Sequence, residues 1–347
     1  MSSITSKTTR HLNTFDSRQS IRGHVGAAVS LIKHATRLLR DLRKFKVTSS
    51  TNPWHLDVVS NLLGQLQAQV IKLVGAQDLF TPDDADEPTQ QLPSLVPFTS
   101  ITEAHDTLGH FHHVHTCNAP YQNLHATAPL RTARTHKSAL ALSTWSSALR
   151  TFLNTRGAAL TPTERSAANV LKMQSLIYMT TLKLDNAQLS LTNQLHWDAH
   201  IATFERVVSL AEAIYGISPS SASTSVGERG KLEPTFTLDI GVVAPLFDVA
   251  CRCRDPGIRR RAVHVLTLSD RQEGIYSSAL AAIIARGVIE VEEEGLDVKV
   301  AGDVPGWKRI VRVGRSFDGE GRRARLEFFP MRSGDGEGEP VVRVVDF

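Results

Sequence analysis

Five potential metal ligands crowd into one short stretch: His110, His112, His113, His115 and Cys117. On a helix, His110, His113 and Cys117 stand at i, i+3 and i+7, which is one face. Zinc would still need a fourth ligand from elsewhere to complete its tetrahedron. The apolar residues of the same segment, Ile101, Ala104, Leu108 and Phe111, claim the inward face, so most of the imidazoles are expected to meet water and not a metal. Cys251 and Cys253 are two positions apart and cannot present both thiols to one side of a helix. Cys253 falls on an apolar stripe, where a thiol behaves as a small hydrophobe. The remaining feature is charge. Arg259, Arg260 and Arg261 follow Asp255 and Pro256, and an acidic run, Glu290, Glu292, Glu293 and Glu294, lies downstream. Such a triplet can be an import or acidic-partner patch. The simpler expectation is a helix with solvated arginines, one paired with an acidic neighbour, and the two runs are placed to face each other. No P-loop, Rossmann glycine pattern, GxSxG elbow or HExxH occurs. Carboxylates and histidines are abundant, but none is spaced for acid–base work. Accordingly no catalytic, cofactor-binding or metal-binding residue is assigned, no cofactor is expected, and the chain is not read as an enzyme.

The elements that would position these groups are mostly helical. From Ile21 to Lys46 the residues Val25, Val29, Ile32, Ala35, Leu38, Leu39 and Leu42 recur at helical spacing, with basic residues opposite. Pro53 opens a second helix, Trp54 to about Leu73. Residues 76–97 read as a proline-rich acidic linker. Ser100 and Glu103 form a capping box ahead of a helix. After a looser stretch, Asn118 to Arg134, a helix from His136 to Arg156 carries Leu140, Trp145, Leu149 and Phe152 inward, and Gly157 stops it. Thr161, Pro162 and Glu164 open a long helix towards Leu191. Trp197, Ile201, Phe204, Val208, Ala211 and Tyr215 mark another, and residues 216–233 are a Ser/Gly-rich loop.

The clearest punctuation lies between Pro234 and Glu294. Pro245 falls in the first turn of one helix, Asp255 and Pro256 cap and open the next, and Ser269 with Gln272 is expected to cap a third. Their stripes are Leu246, Val249, Ala250 and Cys253; Ile258, Ala262, Val265 and Leu266; then Leu280, Ile283, Ile284, Val288 and Val291. Beyond them the pattern turns to strands: Asp297 to Val300, a hairpin of Trp307–Val313 and Arg323–Phe329, and Val341–Phe347. Gly334–Glu339 reads as a flexible loop. The fold class is therefore mainly α, a multi-helix bundle or irregular helical array with a small C-terminal β-hairpin appendage. The expected layout is a disordered tail over 1–20, a helical domain over 21–296 and the appendage over 297–347.

Composition sets outer limits. The 347 residues are 41% hydrophobic and 21% charged with a formal net charge of +4, ordinary for a globular protein and only mildly basic. Three cysteines without small-domain spacing argue for a reducing compartment. No apolar run reaches the ~20 residues a bilayer needs, and the N-terminus has no apolar core of a secretory signal. No membrane association is expected.

The segments LDIGVVAPLF (Leu238–Phe247), CRDPGIRRRA (Cys253–Ala262), RQEGIYSSAL (Arg271–Leu280) and IEVEEEG (Ile289–Gly295) resemble the C-terminal regulatory region of fungal zinc-cluster transcription factors, the fungal-specific transcription factor domain. DAHIATFERVVSLAE (Asp198–Glu212) is similar to the helix before them, and the resemblance is densest over residues 197–295. It implies a transcription regulator in the nucleus serving fungal metabolic genes, a secondary-metabolite cluster among them, acting through protein contacts or a bound small effector. It implies protein partners, the transcription machinery or a related factor, and leaves a homo- or heterodimer open. In that family DNA is read by an N-terminal six-cysteine binuclear zinc cluster. Cys117, Cys251 and Cys253 are the only cysteines here and none forms a CxxC, so direct specific DNA binding is not expected. The alternative is a non-DNA-binding interaction module that sequesters a relative or a coactivator.

Overall fold

Local sequence chemistry sets most of the helix boundaries in the computed structural model, which describes residues 25–46, 63–64, 66, 97–113, 127–187, 193–217, 232–237, 239–274, 276–317, 323–332 and 336–346. The helices are α1 (Val25–Lys46), α2 (Ile101–His113), α3 (Ala128–Arg156), α4 (Pro162–Asn186), α5 (Ile201–Ile214), α6 (Val243–Arg252), α7 (Pro256–Thr267) and α8 (Ser278–Glu293). At α4 the Thr161 hydroxyl accepts from the Glu164 amide and the Glu164 carboxylate accepts from the Thr161 amide at 2.8 Å, a complete capping box with Pro162 in the first turn. Ser100 accepts from the Glu103 amide at 3.1 Å to open α2. Asp255 accepts from the Ile258 amide at 3.0 Å, with Pro256 at the first position of α7. The fold is mainly α, as expected.

Two shared helices join the packing. α4 turns Met173, Ile177 and Leu184 towards a core made with α5, α6, α7 and part of α8. Its Ala168, Leu171 and Leu182 face a second core with α2 and α3, centred on Trp145. The Trp145 indole donates to the Ala104 carbonyl at 3.1 Å, which locks α3 onto α2. α8 divides likewise: Ala281, Ala282, Ala285 and Ile289 face the helices, while Leu280, Ile284, Val288 and Val291 face a β-sheet.

That sheet is antiparallel: β4 (Ile310–Phe317), β5 (Arg323–Arg332) and β7 (Val341–Asp346) in the order β4-β5-β7, with the short β6 (Gly336–Glu337) on the end of β5. Ala324, Leu326 and Phe328 alternate inward along β5, and all are fully buried. Phe328 presses so closely on α8 that a Cβ at Gly287 would lie 2.5 Å from its ring. A second sheet holds β1 (Leu232–Thr237), β2 (Ser269–Glu273) and β3 (Tyr276–Ser277), with β1 parallel and β3 antiparallel to β2.

The stripes of α6 and α7 are buried throughout, as the spacing predicts. Several expectations are corrected. Ser269 and Gln272 do not cap a helix. They lie in β2, the Gln272 amide donates to the Gly274 carbonyl at 2.7 Å, Gly274 takes the positive φ of the turn, and Ser277 caps α8. α3 begins at Ala128, not His136, because Pro129 opens it, and Leu140 is exposed while Leu142 points inward. α4 ends at Asn186, short of Leu191. Trp197 sits in a 3-10 turn, Gln194–His200, before α5. Asp297–Val300 is not a strand, since the Asp303 carboxylate accepts from the Lys299 and Val300 amides at 2.8 and 2.9 Å and closes a 3-10 turn. Within Gly334–Glu339, Gly336 and Glu337 pair with β5, held by a two-point Arg312–Glu337 ion pair at 2.7 and 2.6 Å. The 1–20 tail, most of the Trp54–Leu73 helix, the linker up to 96 and most of the 216–233 loop lie outside the described residues.

Candidate functional site: a buried charge network

Arg254 occupies the corner between α6 and α7, Arg259 the second turn of α7, and Glu292 the last turn of α8. All three are fully buried. Glu292 follows Val288 by one helical turn, so it shares the inward face. Its Oε1 accepts from Arg254 Nη2 at 2.6 Å and from the Ile310 amide at 2.7 Å, and its Oε2 lies 2.9 Å from Arg259 Nη2. Arg254 donates further to the Arg252 carbonyl at 2.8 Å and to Gln194 Oε1 at 3.0 Å. Arg259 donates to the Ala250 carbonyl at 3.2 Å. From the sheet side, Arg309 grips Asp198 at two points, 2.7 and 2.8 Å, and donates to the carbonyls of Val304, Ala301 and Gln194 at 2.9, 3.0 and 3.2 Å. Gln194 thus touches both arginine groups.

Desolvating an ion pair is costly, and further hydrogen bonds offset part of that cost. Here backbone carbonyls take further arginine donors and the Ile310 amide adds a bond to Glu292 Oε1, while Arg254 Nε, Arg259 Nη1 and Glu292 Oε2 are buried without a hydrogen bond. Burial pushes the Glu292 carboxyl up, but Arg254 and Arg259, with bonds from Arg254 and Ile310, outweigh it and hold the group below its ordinary range. For Arg254 burial is the largest influence, and the guanidinium lies below its usual value despite Glu292.

A second buried carboxylate closes the other end of α6. Glu273 accepts from the amides of Gly241, Val242 and Val243 at 2.8, 2.9 and 3.0 Å and from Arg271 Nε at 2.6 Å. It sits where the helix dipole favours negative charge. Gly241 is required by space, since a Cβ there would lie 2.3 Å from Glu273 Oε1.

The arginine triplet and the acidic run do meet, and the face is solvated at Arg260 and Arg261 but not at Arg259. Arg259 is buried against Glu292, Arg260 pairs with Glu293, and Arg261 binds Glu205 and Glu212 on α5 at 2.8 and 2.6 Å. Those bonds, Glu212 first, raise the Arg261 guanidinium above its usual value. Arg254, Arg309, Asp198, Gln194 and Glu273 have no local sequence signal beyond Arg254 standing before the Asp255–Pro256 cap.

The histidine segment is corrected in part. His112 is buried and stacks on Tyr178 with ring centroids 4.6 Å apart, because Tyr178 of α4 covers that side of α2. His115 and Cys117 lie outside the described residues. Among the described residues no three His, Cys, Asp or Glu side chains converge as a metal site, and no helix is long and apolar enough to cross a membrane. Cys253 is buried, as its stripe position predicts. Burial pushes the Cys251 thiol up to about 12 and the Cys253 thiol to about 11, so neither supplies a thiolate at neutral pH. The network is built to hold charges in place.

Over 98 residues the chain is 32% identical to the aspercryptin biosynthesis cluster-specific transcription regulator of Emericella nidulans. The match covers 27% of this chain and 16% of that protein, about one sixth of the relative's length. No family model matches the chain, and no solved structure matches it. The likeness is thus to one part of a fungal transcription regulator.

Proposed function

We propose that this chain is a regulator of fungal metabolic-gene transcription, acting in the nucleus through protein contacts or a bound small effector. The observation that carries it is the 98-residue likeness to a cluster-specific regulator. The 347 residues hold three cysteines, fewer than the six of a binuclear zinc cluster.

The test is a fungal reporter assay with the chain fused to a heterologous DNA-binding module, run beside an RNA profile of a strain lacking the gene. Altered reporter output together with changed expression of a gene cluster is the expected result. An inert fusion and an unchanged profile would sink the proposal. The sequestering alternative predicts an inert fusion that lowers the output of a co-expressed full-length relative. On duplex DNA the purified chain should bind weakly at best and lose that binding steeply with salt, as phosphate neutralisation does.

A further inference from the structure

A strand at the edge of a sheet presents unpaired N–H and C=O groups, and folded proteins blunt such edges with proline, bulges, charge or short length. Most edges here are blunted. β1 carries Pro234 and a register shift between Leu232 and Thr235. β3 and β6 are two residues long. β4 has a register shift between Ile310 and Arg312 and carries Arg312, Gly314 and Arg315. β7 has none of these devices. Its six residues, VVRVVD, include four valines and no proline, glycine or lysine. They run along β5 without a shift, from Val341 opposite Phe328 to Asp346 opposite Arg323. Among the described residues no strand pairs with the other edge of β7.

The two faces of β7 differ. Val341 and Val345 pack on the α8 core, so Arg343 shares that side, 3.9 Å from Glu294. Val342, Val344 and Asp346 lie on the outer side, and Val344 is 65% exposed. Charges on that outer face are already matched: Arg323 with Asp346 at 2.8 Å, Arg325 with Glu327 at 3.1 Å, and Arg312 with Glu337. The edge therefore offers backbone and valine, which suits a near-neutral apolar strand, and β7 is itself such a strand. Antiparallel pairing with a second copy about a two-fold axis lets only residues of the same face oppose each other, so the axis passes through a residue. An axis through Arg343 sets two guanidinium groups opposite each other, which is destabilising. An axis through Val342 or Val345 pairs only half the strand. With the axis on Val344, that residue meets itself, Arg343 meets Val345 and Val342 meets Asp346. Val342 and Val344 of both copies then form one apolar cluster on the outer face.

We propose that β7 is a dimerisation strand: two copies of the chain pair through it, antiparallel and centred on Val344, so that their C-terminal sheets become one. The contact is isologous and uses up the edge. The blunted β4 at each outer end stops further growth. The proposal does not rest on the regulatory reading above.

One strand from each copy buries less than a standard interface of about 1,600 Å², so Kd is expected at roughly 10–100 µM. Sedimentation equilibrium of the full chain across that range should show the mass rising from 38.1 kDa towards twice that value. Val344→Lys places like charges on the axis and should raise Kd at least about tenfold. Because the position is exposed, the dilute variant should melt within about 2 °C of the dilute parent. A second pair of variants reads the register. Opposed Cα atoms of an antiparallel pair lie about 4.5–5.5 Å apart, within disulfide reach. Mild oxidation should therefore link Val344→Cys into a covalent dimer. Val342→Cys, whose counterpart is displaced by four residues, should link no more than the parent. A parent that keeps its monomer mass well above that concentration range would overturn the proposal, whether or not a strand of another protein binds there. So would a dimer that Val344→Lys leaves at full strength, or covalent linkage of Val342→Cys and not of Val344→Cys.

Discussion

Glu292 shows how much one side chain can carry. Three groups, from the α6–α7 corner, α7 and β4, converge on its two oxygens. Glu292→Gln would leave Arg254 and Arg259 as buried cations without a counter-charge, a loss of about 3–5 kcal/mol by chemical denaturation. The pH dependence has a definite sign. The folded carboxyl titrates below its ordinary value of 4.5, so the unfolded chain takes up its proton first. The stability it contributes is fully present above that ordinary value and is lost as pH falls through the lower, folded one. Denaturant midpoints measured from pH 7 downward should therefore drop below about pH 4.5 in the parent. The Glu292→Gln protein should show a shallower acid limb. An acid limb of the same steepness in both would mean that other carboxylates control acid unfolding. Gly241→Ala should destabilise through a different route, by pushing the Glu273 carboxylate off the three amides it caps.

At the scale of elements, α8 is where sequence and structure agree most and also where they part. Its stripe was legible because the apolar spacing is helical. Its start was not, because Ser269 and Gln272 mimic a capping box while parallel pairing with β1 draws them into a strand. Local spacing cannot report a partner more than thirty residues away. The same limit explains Arg254, Asp198 and Arg309, whose types are ordinary and whose meaning comes only from the residues they meet. The facing of Arg259–Arg261 and the acidic run was legible from charge, but its burial was not, since nothing local marks Arg259 as the inward one. Two measurements follow. Ser277→Ala should cost about 1 kcal/mol, the loss of a real N-cap. Ile284→Asp should abolish cooperative melting, because it buries a bare charge against the sheet, whereas Ile283→Asp, at a half-buried position, should leave a lower but visible transition. If the two aspartate variants melt alike, α8 does not present the faces described.

For the whole molecule, the C-terminal sheet is better understood as the second side of a core than as an attachment. It supplies Phe328, Leu326 and Ala324 to the outward face of α8 and closes the charge network through Arg309 and Ile310. Truncation after Lys308 should therefore unfold the helical region as well, strip Asp198 of Arg309 and Glu292 of the Ile310 amide, and raise the exchange rate of amides in α6–α8 towards that of the loops. A truncated chain with an unchanged helical signal and a sharp melt would show that the helices stand alone.

The ion pair between Asp198 and Arg309 spans 111 positions of chain. A ribosome adds roughly 5–20 residues per second, so Asp198 emerges about 5–20 s before the cation that neutralises it. Through that interval the nascent helices hold carboxylates that cannot be desolvated at a profit, and their faces stay open to solvent and to chaperones. Closure comes only when Arg309 and the strands that follow it arrive.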